Sequence, residues 1–286
     1  MRRVFQKAIW CAGLIFAVLI SSTAHAQNME AVLDQSFHAM YNLQFDEAFR
    51  KADQAKALDK TDPMPWVAQA SAVLFREFDR LHILRSDMFV SDSAFAARPA
   101  YAWNDDARKQ FNDAIAGAEK LARDRLAHNK NDINALFALT LVNGLRANDS
   151  ALISKHNIAA LSFTKTSNNF AEKLLALSPN YYDAYLATGM SQYIVGGKPA
   201  PVRWLLRIGG FKGDQEQGVK ELTLVAERGR YLAPFARILL AFHDLRHQKR
   251  DEARKKFASL HNQFPANPLF PQEMAKCGSG PMPNGQ

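Results

Sequence analysis

The chain has 286 residues, with 36 Lys and Arg against 28 Asp and Glu, a formal net charge of +8 and only two cysteines. Cations alternate with acids and form no long basic run, which argues against nucleic-acid binding. Two cysteines exclude a thiolate metal cluster, and the length suffices for a large core or an extended stack.

The N-terminus has the pattern of a secretory signal. Arg2, Arg3 and Lys7 precede an apolar run from Ala8 to Ile20 that is too short for an ordinary spanning helix. Ala24-His25-Ala26 offers small residues where a signal peptidase reads, so cleavage before Gln27 is expected. Loss of residues 1–26 would remove three cations and lower the formal charge from +8 to +5. Cys11 goes with them, leaving Cys277 unable to form an internal disulfide. The expected address is the bacterial periplasm or the periphery of the cell envelope.

Apolar residues then recur at intervals of three and four almost throughout, and no alternating strand pattern of useful length occurs, so the fold is expected to be all-α. A first hairpin runs from about Met29 to Asp59, with Leu33, Phe37, Met40 and Tyr41 on one face and Ala48, Ala52 and Ala55 allowing close approach. Trp66 opens a helix reaching about Ser86, after the turn Asp62-Pro63-Met64-Pro65. Residues 87–103 read as a packed loop or short helix inserted between hairpins. Helices follow from Asp105 to His128 and from Ile133 to Leu145, and a long stretch ends at Leu177.

Pro179-Asn180 makes a turn before a helix from Tyr182 to Val195 with a small Thr188-Gly189 step. Residues 196–213 are irregular. Three helices close the pattern, over Gln215–Arg228, Leu232–His247 and Asp251–Phe264, and Pro265, Pro268 and Pro271 stop it. The domain is therefore placed at 27–272, with 273–286 as a flexible tail carrying a loosely held Cys277 thiol.

Several of these joints resemble the tetratricopeptide repeat, a helix-turn-helix unit of about 34 residues. Ala253, Phe257 and Pro265 match its second helix, as do Phe45-Asp46-Glu47-Ala48 and Ala55. Pro179, Tyr185 and Gly189 match a joint between units, and Trp66 with Ala70 the start of one. The interval from Pro179 to Pro265 is not a whole number of units, so an insertion is expected. The segment from Val202 to Asp214, with Arg230 to Phe235, is similar to exported bacterial repeat proteins of unassigned activity and supplies no catalytic residue. The resemblance implies a right-handed superhelix of antiparallel helix pairs, a solenoid whose curved groove holds an extended peptide or another protein. It implies a non-catalytic scaffold or assembly factor without a cofactor.

The candidate partner-binding residues are Tyr182, Tyr193, Arg203, Trp204, Arg207, His243 and His247. Tyr182 and Tyr193 offer rigid rings with hydroxyls to a groove. Trp204 is expected to pack inward and seal the enlarged joint. Facing outward, Arg203-Trp204-Leu205-Leu206-Arg207 would instead meet a membrane surface or an acidic partner. His243 and His247 lie four apart on one helix side, and with His261 they form the zinc site of an alternative reading, a metal-dependent hydrolase. Against it, Phe235, Ile238, Leu239, Phe242 and Leu245 define the buried side and leave the pair on its flank. A further alternative is a carrier or sensor of an apolar small ligand. Gly196-Gly197-Lys198 precedes Pro199 rather than Ser or Thr, so it lacks the hydroxyl a phosphate loop needs.

Overall fold

The computed structural model describes residues 28–278. Among these the regular structure is helical, with no strand. The helices are α1 (28–41), α2 (Phe45–Leu58), α3 (Met64–Arg80), α4 (Asp92–Ala97), α5 (Asp105–His128), α6 (Ile133–Asn148) and α7 (Asn157–Leu177). They continue with α8 (Tyr185–Gly196), α9 (Ala200–Ile208), α10 (Gln215–Arg228), α11 (Ala233–Arg246), α12 (Arg250–Gln263) and α13 (Leu269–Gly278). The proposed signal segment lies outside the described residues.

Each long helix packs on the next, and α3 and α8 pass over the inserted α4 and α9 to pack on α5 and α10. The result is an all-α solenoid of antiparallel helix pairs. Its seams are built on small residues. Ala48, Ala52 and Ala55 of α2 and Ala114, Ala118 and Ala122 of α5 are buried, which lets neighbouring axes approach closely. Helix starts follow local chemistry. The side chains of Asn104, Asp132 and Asp214 accept hydrogen bonds from the amides of Ala107, Ala135 and Gln217, inside the first turn of each helix.

Helix ends are less conventional. Leu43, His82 and Gln248 take the left-handed conformation that glycine usually supplies after a helix. The third helix consequently ends at Arg80 rather than Ser86, where the Ile83 amide turns back onto the Phe78 carbonyl at 2.8 Å.

The solenoid bends until its ends meet. The Tyr41 hydroxyl donates to the Tyr231 carbonyl at 3.0 Å, and Asn267 Nδ2 donates to the Tyr41 carbonyl at 2.8 Å. Tyr41 also packs on Phe264, with ring centroids 5.3 Å apart. Arg230 bridges Glu30 and Asp34 of α1. This closure corrects the expected tail over residues 273–278, and residues 279–286 lie outside the described residues. Residues 269–278 form α13, because Pro271 falls in the first helical turn, where a missing amide hydrogen costs nothing. Glu273 is buried against Ser86, and Cys277 is buried too, with its thiol pKa pushed up by that burial.

Both inserts contain helix. α4 lies beside a 3-10 turn at Ser86–Met88, and its flanks are pinned: the Tyr101 amide donates to the Ile153 carbonyl, and Trp103 Nε1 to Asp149. Residues 196–213, expected to be irregular, carry α9 between two glycine pairs.

Candidate functional site

The closed stack leaves an apolar hollow of about 340 Å³, within the range of small-molecule pockets. Its wall draws on distant parts of the chain: Phe75 and Phe78 of α3, Met190 and Ile194 of α8, Phe235, Ile238, Leu239 and Phe242 of α11, and Leu269 and Phe270 of α13. The insert between α3 and α5 forms part of the rim. Phe89 stacks on Phe242 at 5.2 Å, and Phe95 lies 6.2 Å from Phe89. Phe235, Ile238 and Leu239 belong to the apolar stripe of α11 but remain half-buried where they border the hollow, with the Phe235 ring edge-on to Phe75 of α3 at 5.7 Å.

The inner polar groups of the wall are occupied. Glu273 accepts from the Ser86 amide and hydroxyl and from Lys276. Asn267 bonds the Tyr41 carbonyl and the Leu269 amide. Three charged side chains of the wall reach solvent, Asp92, Lys198 and Arg246, and they form one cluster. Arg246 is ion-paired to Asp92 and donates to the Phe89 carbonyl at 3.1 Å, while Lys198 Nζ lies 4.0 Å from the same carboxylate. This cluster marks the mouth.

The seven sequence candidates divide among three places. Tyr193 and His243 line the hollow and share a hydrogen bond of 3.1 Å between hydroxyl and Nδ1. The His247 ring lies tilted against that of His243, centroids 4.2 Å apart, but His247 is exposed, and its Nδ1 donates to the His243 carbonyl. Tyr182 belongs to a second hollow of about 400 Å³ with Asp183, Arg228 and Arg230, and its hydroxyl accepts from Arg228 at 3.2 Å. Arg203, Trp204 and Arg207 are on α9.

The expected inward packing of Trp204 is overturned: its relative exposure is 66%. α9 makes little contact beyond α8, and Gly210 just past its end takes the left-handed conformation. Val202 and Ile208 are exposed with Trp204, while Arg203 and Arg207 occupy the other arc of the helix.

The zinc reading loses its geometry. Among the described residues, no group of three or more His, Cys, Asp or Glu side chains is placed to hold a metal ion. Asp244, between the two histidines in sequence, is buried and ion-paired to Lys256 at 2.5 Å, which ties α11 to α12.

Burial in the wall, reinforced by His247, lowers the His243 pKa to about 4. The unfolded ring binds its proton near 6.5, so between those values the unfolded state holds more protons. This contribution to stability is complete above pH 6.5 and is lost as pH falls towards 4. An NMR titration is expected to show one histidine titrating near pH 4, with that resonance absent in His243→Gln.

Sequence reasoning missed Asp92, Lys198 and Arg246 as a set. They come from three elements, and nothing in their spacing joins them. Comparison with protein-family models and with curated proteins finds no match. Among solved structures, the chain is similar to a thermophilic tetratricopeptide-repeat protein from Thermus thermophilus. That similarity has 13% identity, covers 87% of this chain and 98% of the other, and has a TM-score of 0.43.

Proposed function

We propose that this protein is a non-catalytic binding scaffold of the bacterial cell envelope, whose closed helical stack receives an apolar guest. The hollow carries the reading. A void lined by aromatic and aliphatic side chains lacks packing partners on every wall, and an apolar guest supplies them while leaving water. The guest is small, because the inner wall is closed where the first and last parts of the described stack meet rather than left as a long groove. The carrier or sensor reading is favoured over groove binding of an extended peptide for that reason. His243 serves as part of the wall, neutral and bonded to Tyr193, and no residue is assigned a catalytic role.

The test is a fluorescence titration with N-phenyl-1-naphthylamine, a probe that brightens in apolar surroundings. Saturable binding to one site is expected. Ala151 lines the hollow, and Ala151→Phe fills part of it from the wall, so binding is expected to weaken at least tenfold. Unchanged probe affinity in that variant would remove the hollow as the site.

The envelope assignment rests on the N-terminal pattern and on α9. The outward apolar arc of α9, with Arg203 and Arg207 beside it, suits peripheral contact with an acidic lipid surface or with an acidic, apolar face of another envelope protein. Each arginine near an acidic membrane contributes about 1 kcal/mol, so the double variant Arg203→Gln/Arg207→Gln is expected to weaken vesicle binding roughly 30-fold. Co-sedimentation with phosphatidylglycerol vesicles checks this. Equal pelleting of both proteins would leave α9 to a protein partner.

A further inference from the structure

We infer that the guest is a single-chain amphiphile with an anionic head, an acyl carboxylate, whose head group displaces Asp92 from Arg246 at the mouth of the hollow. The inference rests on the guest-binding reading above and adds the chemistry of the guest. Two cations, Lys198 and Arg246, converge there on one carboxylate, so the mouth carries an excess of positive charge. Asp92 belongs to the short α4, and its side chain is 65% exposed. It is a replaceable partner: water can solvate it once it leaves, whereas the Arg246 side chain is 30% exposed and needs an acceptor in place. A guest carboxylate offers the same two oxygens to the guanidinium and adds an apolar chain that Asp92 lacks.

The interior discriminates against the alternative occupant, a peptide segment. A peptide would carry amides and carbonyls into a wall where Glu273, Asn267, Tyr193 and His243 already have partners. Its backbone groups would be buried unpaired, which is costly. An acyl chain has no such groups. The seam that holds Phe89 against Phe242 is contiguous with the ion pair, because Arg246 also donates to the Phe89 carbonyl. Exchange of Asp92 for the guest's head group therefore loosens the insert at the point where a chain must enter.

The experiment is competition for the naphthylamine probe by dodecanoate and by dodecan-1-ol, on the wild type and on Asp92→Asn and Arg246→Gln. A charged hydrogen-bonded pair corresponds to about a tenfold preference for the carboxylate over the alcohol. Asp92→Asn, which removes the competing acid from an exposed site, is expected to widen that preference several-fold, and Arg246→Gln to abolish it. Equal displacement by acid and alcohol in the wild type, or a preference untouched by Asp92→Asn, would overturn the anionic head group while leaving an apolar guest in place. Displacement by an apolar peptide but by neither chain compound would refute the acyl guest. Failure of the probe itself to bind would bring down the guest-binding reading as well.

Discussion

Asp183→Ala is expected to lower the stability of the whole stack by about 3 kcal/mol or more, because it strands three backbone amides at once, two of them buried. The Asp183 carboxylate accepts from the backbone N–H of Arg230 at 3.0 Å, Tyr231 at 3.2 Å and Leu232 at 3.0 Å. Those residues turn the chain from α10 into α11, and they also hold the closure. Tyr231 packs on Phe37 of α1 at 4.8 Å and accepts the Tyr41 hydroxyl on its carbonyl, and Arg230 bridges Glu30 and Asp34. Loss of the turn therefore frees α1 from α11 as well as unsealing α10 from α11.

Burial raises the Asp183 pKa above the ordinary carboxylate value, against the opposing pull of the three amides and Arg230. The group's contribution is thus fullest below the ordinary value and is lost as pH rises through the elevated one. Asp183→Asn keeps one acceptor oxygen and has no titration. It is expected to be milder than Ala and to trail the wild type more at acid than at neutral pH. Urea unfolding midpoints at two pH values check both statements.

Gly218→Val is expected to break the seam between α8 and α10, at a cost of about 3 kcal/mol or more, the upper end for overpacking. A Cβ on Gly218 would lie 2.5 Å from the Tyr193 backbone nitrogen and 2.7 Å from the Gly189 carbonyl, and one on Gly189 would lie 2.9 Å from the Glu221 Cβ. The obstacle at Gly218 is backbone, which cannot rotate aside. The helices must separate, and α8 carries Met190, Tyr193 and Ile194 out of the wall of the hollow with it. Probe affinity is expected to fall together with the unfolding midpoint, whereas Ala151→Phe lowers affinity alone.

Helix pairing was legible in the sequence because it is local. The three-and-four spacing of Leu33, Phe37, Met40 and Tyr41, the small Thr188-Gly189 step and the capping Asp214 each mark a feature that the structure contains. The boundary that was not legible is the one at His82, which ends the third helix in a conformation that only glycine would have announced.

Closure was not legible. It depends on pairs such as Tyr41 with Asn267 that lie far apart along the chain, and a periodic stripe does not say what will face it. Phe235 and Leu239 share one stripe with Leu245, yet the first two border the void and Leu245 is buried against protein. The same ambiguity misplaced Trp204. An amphipathic helix implies burial of its apolar arc, and the glycines flanking α9 read equally well as a plain loop. The mouth cluster was hidden for a third reason: Asp92, Lys198 and Arg246 carry charges that would be ordinary on any solvated face.

Crystals soaked with 12-bromododecan-1-ol give the most direct test of an apolar hollow enclosed where the two ends of the described stack meet. The neutral head group makes the result independent of the chemistry at the mouth. An anomalous bromine peak is expected between α3 and α11, within contact distance of Phe75, Leu239 and Phe242. An interior in which those side chains have closed the space, or bromine bound only on the outer surface, would contradict the account.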